Sequence, residues 1–145
     1  YVHDMGAAML GGVGGHAGLF SNANDVAKIM QMYLQKGTYG GTEYLKAETL
    51  DKFNKRYYAD KKVRRGLGFD KPQLNPKVKA TCGCVSDESF GHSGFTGTYT
   101  WVDPKSGLLY VFLSNRVYPN MNNRGLVRSN MRTKIQQDIQ DAILH

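Results

Sequence analysis

The sequence has no run of about eighteen apolar residues, the length a helix needs to cross a bilayer, so no membrane span is expected. Nor does it begin with a charged, apolar and small-residue leader; it opens on Tyr1 and reads as a piece of something longer. Cysteine is scarce. Cys82 and Cys84 form one C-x-C in a loop-like stretch, and a tetrahedral zinc site would need a second pair of ligands. The pair is therefore read as incidental and the redox compartment stays open. His3, Asp4 and His16 lack paired ligand spacing with one another or with His92, so no metal and no cofactor is expected. Acidic residues number 12 against 19 basic ones, a net charge of +7. The excess is local: "DKFNKRYYADKKVRRG" sets Lys52, Lys55, Arg56, Lys61, Lys62, Arg64 and Arg65 against Asp51 and Asp60. Such a tract reads as a solvated face. No nucleic-acid-reading motif accompanies it, so no nucleic-acid partner is expected, and binding to an anionic polymer is the alternative it leaves open.

What is present suits one core. At 145 residues with 41% hydrophobic content, the chain can fill a single domain but not two. "GAAMLGGVGGHAGLFS" looks at first like a phosphate-cradling loop, but no Lys-Ser/Thr ends it and no β-branched run precedes it, which leaves close backbone packing ahead of a helix. That helix is signalled by Ser21 or Asn22 as cap, Asp25 in the first turn, and Val26, Ile29, Met30, Tyr33 and Leu34 on one face, with Gly37 ending it. A shorter helix is expected from about Ala47 to Lys55, burying Leu50 and Phe53. Residues 58–87 read as a long excursion around one short strand near "GLGF".

The pattern then changes to alternation of β-branched and aromatic residues, giving three expected strands: Ser89 to Gly94, Thr96 to Val102 and Leu108 to Asn115. "DPKSG" is a turn that pairs the last two as an antiparallel hairpin. A final helix is expected from about Val127 to Leu144, with Met131, Ile135, Ile139, Ala142 and Ile143 as its apolar stripe. Helices, then a strand meander, then a closing helix predict an α+β fold: an antiparallel sheet flanked by helices.

The chemistry concentrates in "FGHSGFTGTYTWVDP". Gly91-His92-Ser93 has the start of a nucleophile elbow, but Phe95 stands where a second glycine is required, and a strand rather than a helix follows. The alternative is a strand lining a cleft. Gly91 and Gly94 let a substrate backbone approach, His92 and Ser93 point polar groups to either side, and the backbone amide of Phe95 is placed to donate to an oxyanion. A satisfied strand histidine is the plainer reading of His92.

With these residues in view, the chain resembles the C-terminal portion of the serine β-lactamase and penicillin-binding-protein superfamily, whose Lys-Thr-Gly or His-Thr/Ser-Gly triplet would be His92-Ser93-Gly94. "GGHAGLFSNANDVAKIMQMYL" is similar to that family's Gly-rich entry and helix, and "GFTGTYTWVDPKSGLLYVFLSNR" to its strand, turn, strand and Asn-Arg end; the likeness is weakest across residues 57–87. The resemblance implies that His92 contacts substrate or helps a proton relay, that Ser93 and Gly94 bind substrate, and that Phe95 gives its N–H to an oxyanion hole. It also implies a periplasmic, envelope or extracellular setting and a small-molecule or peptidoglycan-like substrate. The family's nucleophile sits in Ser-x-x-Lys, however, and no serine here has lysine three positions on. "YVHD" is not a Tyr-x-Asn element either. Nucleophile and general base are both missing. Residues 1–145 are therefore expected to be one partial domain, inactive alone, whose catalytic part lies upstream. The parent would hydrolyse amide, ester or β-lactam bonds through an acyl-enzyme. A non-catalytic cell-wall or ligand-binding module of the same fold is the alternative.

Overall fold

The computed structural model describes residues 4–75, 77–78 and 80–144. It opens with α1 (Met5–Met9), capped by Asp4, whose Oδ1 accepts from the Ala7 amide at 2.8 Å. The glycine-rich segment then folds back on itself. A Cβ on Gly18, which has φ +108°, would lie 2.5 Å from the Gly12 carbonyl oxygen, so the expected close backbone approach occurs here. α2 (Ala23–Leu34) follows, with Asn22 as its cap: the Oδ1 of Asn22 accepts from the Asp25 amide at 3.0 Å while its Nδ2 donates to Asp25 Oδ2 at 2.7 Å. The Lys28 ammonium and the Asn22 amide both hold the Asp25 carboxyl below its usual range. α2 buries Met30 and packs Val26, Tyr33 and Leu34 beside it. Ile29, one step around the helix, is half exposed rather than buried.

A two-stranded ribbon, β1 (Thr38–Tyr39) with β2 (Thr42–Glu43), leads to α3 (Ala47–Asn54). α3 buries Leu50 as expected. Phe53 is 53% exposed, and Leu50 is the one buried residue of this helix.

The main sheet is antiparallel and three-stranded, in the order β3 (Phe90–Ser93), β4 (Tyr99–Asp103), β5 (Leu108–Phe112). Each strand is shorter than its sequence run. Gly94 gives its N–H to the Thr98 carbonyl at 2.8 Å and Gly97 returns to Gly94 O at 3.0 Å, so residues 94–98 are a turn and not strand. β4 and β5 form the hairpin predicted at "DPKSG", closed by Gly107 N–H on Asp103 O at 2.8 Å. The strand expected near "GLGF" reduces to one bridge, in which Asp70 exchanges both backbone hydrogen bonds with Gly91, at 2.8 and 3.1 Å.

The closing helical region is broken. α4 (Gly125–Arg128) stops at Ser129-Asn130, where Asn130 takes φ +54°, and α5 (Met131–Leu144) follows. Its buried face also departs from the predicted apolar stripe. Ile135 and Ile139 pack on the sheet, but Met131, Ala142 and Ile143 are exposed, and the fully buried positions are Gln136 and Gln140. The Tyr99 hydroxyl donates to Gln136 Oε1 at 3.0 Å, which makes a buried glutamine acceptable.

The sheet thus carries a helix on each face, and cross-strand pairs divide its side chains cleanly. Phe90 and Val102 face α2 with Met30 and Phe69. Tyr99, Trp101 and Tyr110 face α5 with Ile135 and Ile139. The architecture is α+β, as the sequence pattern predicts. Among the described residues no helix is long and apolar enough to cross a membrane.

Candidate active-site wall

Gly91, His92, Ser93 and Gly94 lie along and just beyond β3, an edge strand of the sheet. Gly91 directs its N–H and C=O away from β4, toward Asp70. Alternation along an antiparallel strand turns the N–H and C=O of Ser93 to the same outer edge, past the point where Asp70 pairs. This leaves a short length of strand edge that an extended backbone can join.

His92 and Ser93 project from opposite faces. His92 is exposed and lines a cavity of about 1060 Å³ on the α2 face, together with Tyr33, Phe53, Arg56, Phe69 and Lys71. Ser93, also exposed, lines a second cavity of about 500 Å³ on the α5 face with Arg64, Tyr99, Trp101 and Arg132. Gly94 gives its amide to the turn, and Phe95 stands inside that turn, its ring 4.7 Å from the Arg116 guanidinium. The strand therefore brings His92 and Ser93 to one edge but aims them into different spaces.

Sequence reading missed several neighbours. Lys71 is 5% exposed, and its Nζ donates to the Glu88 carbonyl at 2.7 Å above the Phe90 ring. Burial pushes its amine down to about 8; the Arg56 guanidinium pushes the same way, while the Asp87 and Glu88 carboxylates oppose it. Asp70 is buried; its Oδ2 accepts a hydrogen bond from Arg64 Nη2 at 2.5 Å, and its Oδ1 forms an ion pair with Arg65 Nε at 2.8 Å. Arg56 donates to the Pro72 carbonyl at 2.9 Å. Arg56 and Arg64 are thus held in the fold beside β3 and Arg65 is paired to it from the surface, whereas Lys52, Lys55, Lys61 and Lys62 are exposed, as expected of a solvated face. Arg132 spans from α5 to the turn after β3, donating to the carbonyls of Gly97 and Thr98 at 3.4 Å each. Tyr99 keeps its proton, because burial pushes the phenol well above its usual range. Cys82 and Cys84 are joined by a disulfide, where the sequence reading treated them as an incidental pair. His16 reaches Asp4 Oδ1 at 3.0 Å. His3, considered with them in the sequence, lies outside the described residues.

The model of the Beta-lactamase family matches residues 2–131. The chain belongs to that family. It is 41% identical over 117 residues to a protein of Escherichia coli strain K12 named "Putative D-alanyl-D-alanine carboxypeptidase", covering 79% of this chain and 26% of that protein. A protein of the same name from Salmonella agona strain SL483 is 38% identical over 124 residues, 84% of this chain and 28% of the other. The chain spans about a quarter of the length of the curated relatives it matches. The solved structure titled "Crystal structure of putative beta-lactamase from Bacteroides dorei DSM 17855" shares 18% identity at a TM-score of 0.46, covering 88% of this chain and 48% of that one. The edge of β3 is where the sequence concentrates its polar, glycine-flanked residues.

Proposed function

We propose that this chain is the substrate-binding wall of a serine hydrolase domain whose nucleophile comes from an upstream part of the same polypeptide. The observation that carries the reading is the exposed end of β3, where Ser93 turns its backbone outward beside the cavity lined by His92. In this reading an upstream serine Oγ attacks a substrate carbonyl, the carbonyl–leaving-group bond breaks, and water later hydrolyses the acyl-enzyme. The Phe95 amide donates to the oxyanion, Ser93 hydrogen-bonds a substrate carboxylate or carbonyl with the Gly94 backbone against it, and His92 contacts substrate or assists the proton relay. The named relatives favour a peptide ending in D-alanyl-D-alanine as the substrate class, and the family adds β-lactams and small esters. An oxidising setting such as the periplasm or cell exterior suits both that substrate and the Cys82–Cys84 disulfide.

Alone, the 145 residues hold no Ser-x-x-Lys and are expected to turn nothing over. A fluorescent penicillin tests this by intact mass. The full-length polypeptide should gain one covalent label, lost when its upstream Ser-x-x-Lys serine becomes alanine, and the 145-residue chain should gain none. Absence of label on both would favour a non-catalytic binding module, and label at Ser93 would restore the nucleophile elbow.

A further inference from the structure

The disulfide between Cys82 and Cys84 closes across a single residue, Gly83, and no step of the proposed hydrolysis uses it. Cys82 is 5% exposed and Cys84 is half-buried. Bonds that do not involve sulfur tie down both flanks. On one side Thr81 gives its N–H and its hydroxyl to Gln73 Oε1, at 3.2 and 2.6 Å. On the other, Val85 packs against Tyr99, Trp101 and Tyr110, and Ser86 gives its N–H and hydroxyl to the Asp103 carboxylate at 2.8 and 2.5 Å.

A disulfide stabilises a fold mainly through the chain entropy it removes from the unfolded state, which grows with the loop it closes. The loop here, three residues counting both cysteines, removes roughly half of what a fifteen-residue loop does. Coupling is reciprocal, so folding returns correspondingly little stability to the bond. The bridge therefore lacks the protection against reduction that a long-loop structural disulfide draws from its fold. The anchored flanks are held by contacts that do not depend on the bridge.

We propose that Cys82-Gly83-Cys84 is a redox-exchange site that passes two electrons to and from an external pair of thiols while the fold stays intact. A donor thiolate attacks the Sγ of Cys84, the more exposed residue of the pair. The S–S bond breaks, and Cys82 leaves as a thiolate and takes a proton from water. A second donor thiolate attacks the donor sulfur of the mixed disulfide and releases Cys84, which is protonated in turn. The bridge has then gained two electrons and two protons, and the donor pair has become a disulfide. The reverse sequence oxidises a partner's thiols. None of this depends on the serine-hydrolase reading.

The test is a titration of the protein in native glutathione buffers, quenched with acid, alkylated and weighed intact, with hen lysozyme as a standard for long-loop disulfides. The bridge should open at a ratio of squared reduced glutathione to oxidised glutathione at least about tenfold lower than the standard requires, with the near-UV circular dichroism unchanged. A bridge as resistant as the standard, or a near-UV signal lost on reduction, would overturn the proposal. In single variants, the remaining Cys84 thiol of Cys82→Ser should react with oxidised glutathione roughly tenfold faster than the remaining Cys82 thiol of Cys84→Ser. Equal or reversed rates would overturn the assignment of Cys84 as the point of attack.

Discussion

Replacing Gly91 with alanine is expected to destabilise the chain by at least about 3 kcal/mol, the upper end of the range for overpacking a close-fitting site. Gly91 sits opposite Trp101 in the β3–β4 ladder and bonds to Asp70 on its other edge. A Cβ there would run into the Thr100 carbonyl oxygen and the Trp101 ring, and would lie 2.9 Å from Trp101 Cα. Two of these obstacles are backbone atoms of the paired strand, so rotamer changes cannot relieve them; the strands must separate. Urea unfolding followed by tryptophan fluorescence measures the loss. A midpoint within error of wild type would mean that β3 and β4 pair less closely than described. Because Gly91 adjoins His92, the same change should also disturb the exposed end of β3.

The second large effect is on the other side of the same ladder. Trp101 is 1% exposed, stacked on Tyr99 with centroids 5.7 Å apart and planes 7° from parallel, inside the cluster that seats α5. Trp101→Ala should cost about 3–5 kcal/mol through lost burial and the cavity left behind. That is a large share of the roughly 5–15 kcal/mol that holds a typical domain together. Trp101→Phe separates packing from polarity. The indole N–H is buried with no hydrogen-bond partner among the described residues, so the phenylalanine sacrifices no bond and should cost about 1–2 kcal/mol. Near-equal losses for the two variants would mean that the indole N–H has a partner and that packing is the smaller part of the effect.

These two sites also mark where the sequence is readable and where it is not. Local signals carried through: Asn22 caps α2 with its own side chain, and "DPKSG" closes the β4–β5 hairpin within five residues. Both depend on neighbours a few positions away. The alternation of His92 and Ser93 is local too, since strand geometry alone separates them. What failed was non-local. Gln136 occupies the buried face of α5 where Tyr99, 37 residues before it, offers a hydroxyl. No periodicity of apolar residues can report that. The bridge at Asp70 and the ion pairs that Arg64 and Arg65 make with it lie in a tract whose composition shows only excess charge. Lys71 is invisible for the same reason: its burial comes from Glu88 and Phe90 folding over it, and nothing in its own neighbourhood of the sequence marks it. The Cys82–Cys84 pairing had a legible clue in its spacing, but a bridge across one residue is rare enough that spacing alone argues weakly for it.

The proposed substrate wall turns on Ser93, and the most direct measurement concerns that residue. The second-order rate constant for acylation of the full-length polypeptide by a fluorescent penicillin would be compared between wild type and Ser93→Ala. Loss of one hydrogen bond to a charged substrate group should lower that rate by about 10- to 100-fold, equivalent to roughly 1.5–3 kcal/mol, with the urea midpoint unchanged because the side chain is exposed. An unchanged acylation rate on a protein that does acylate would contradict the assignment of this strand as the substrate wall.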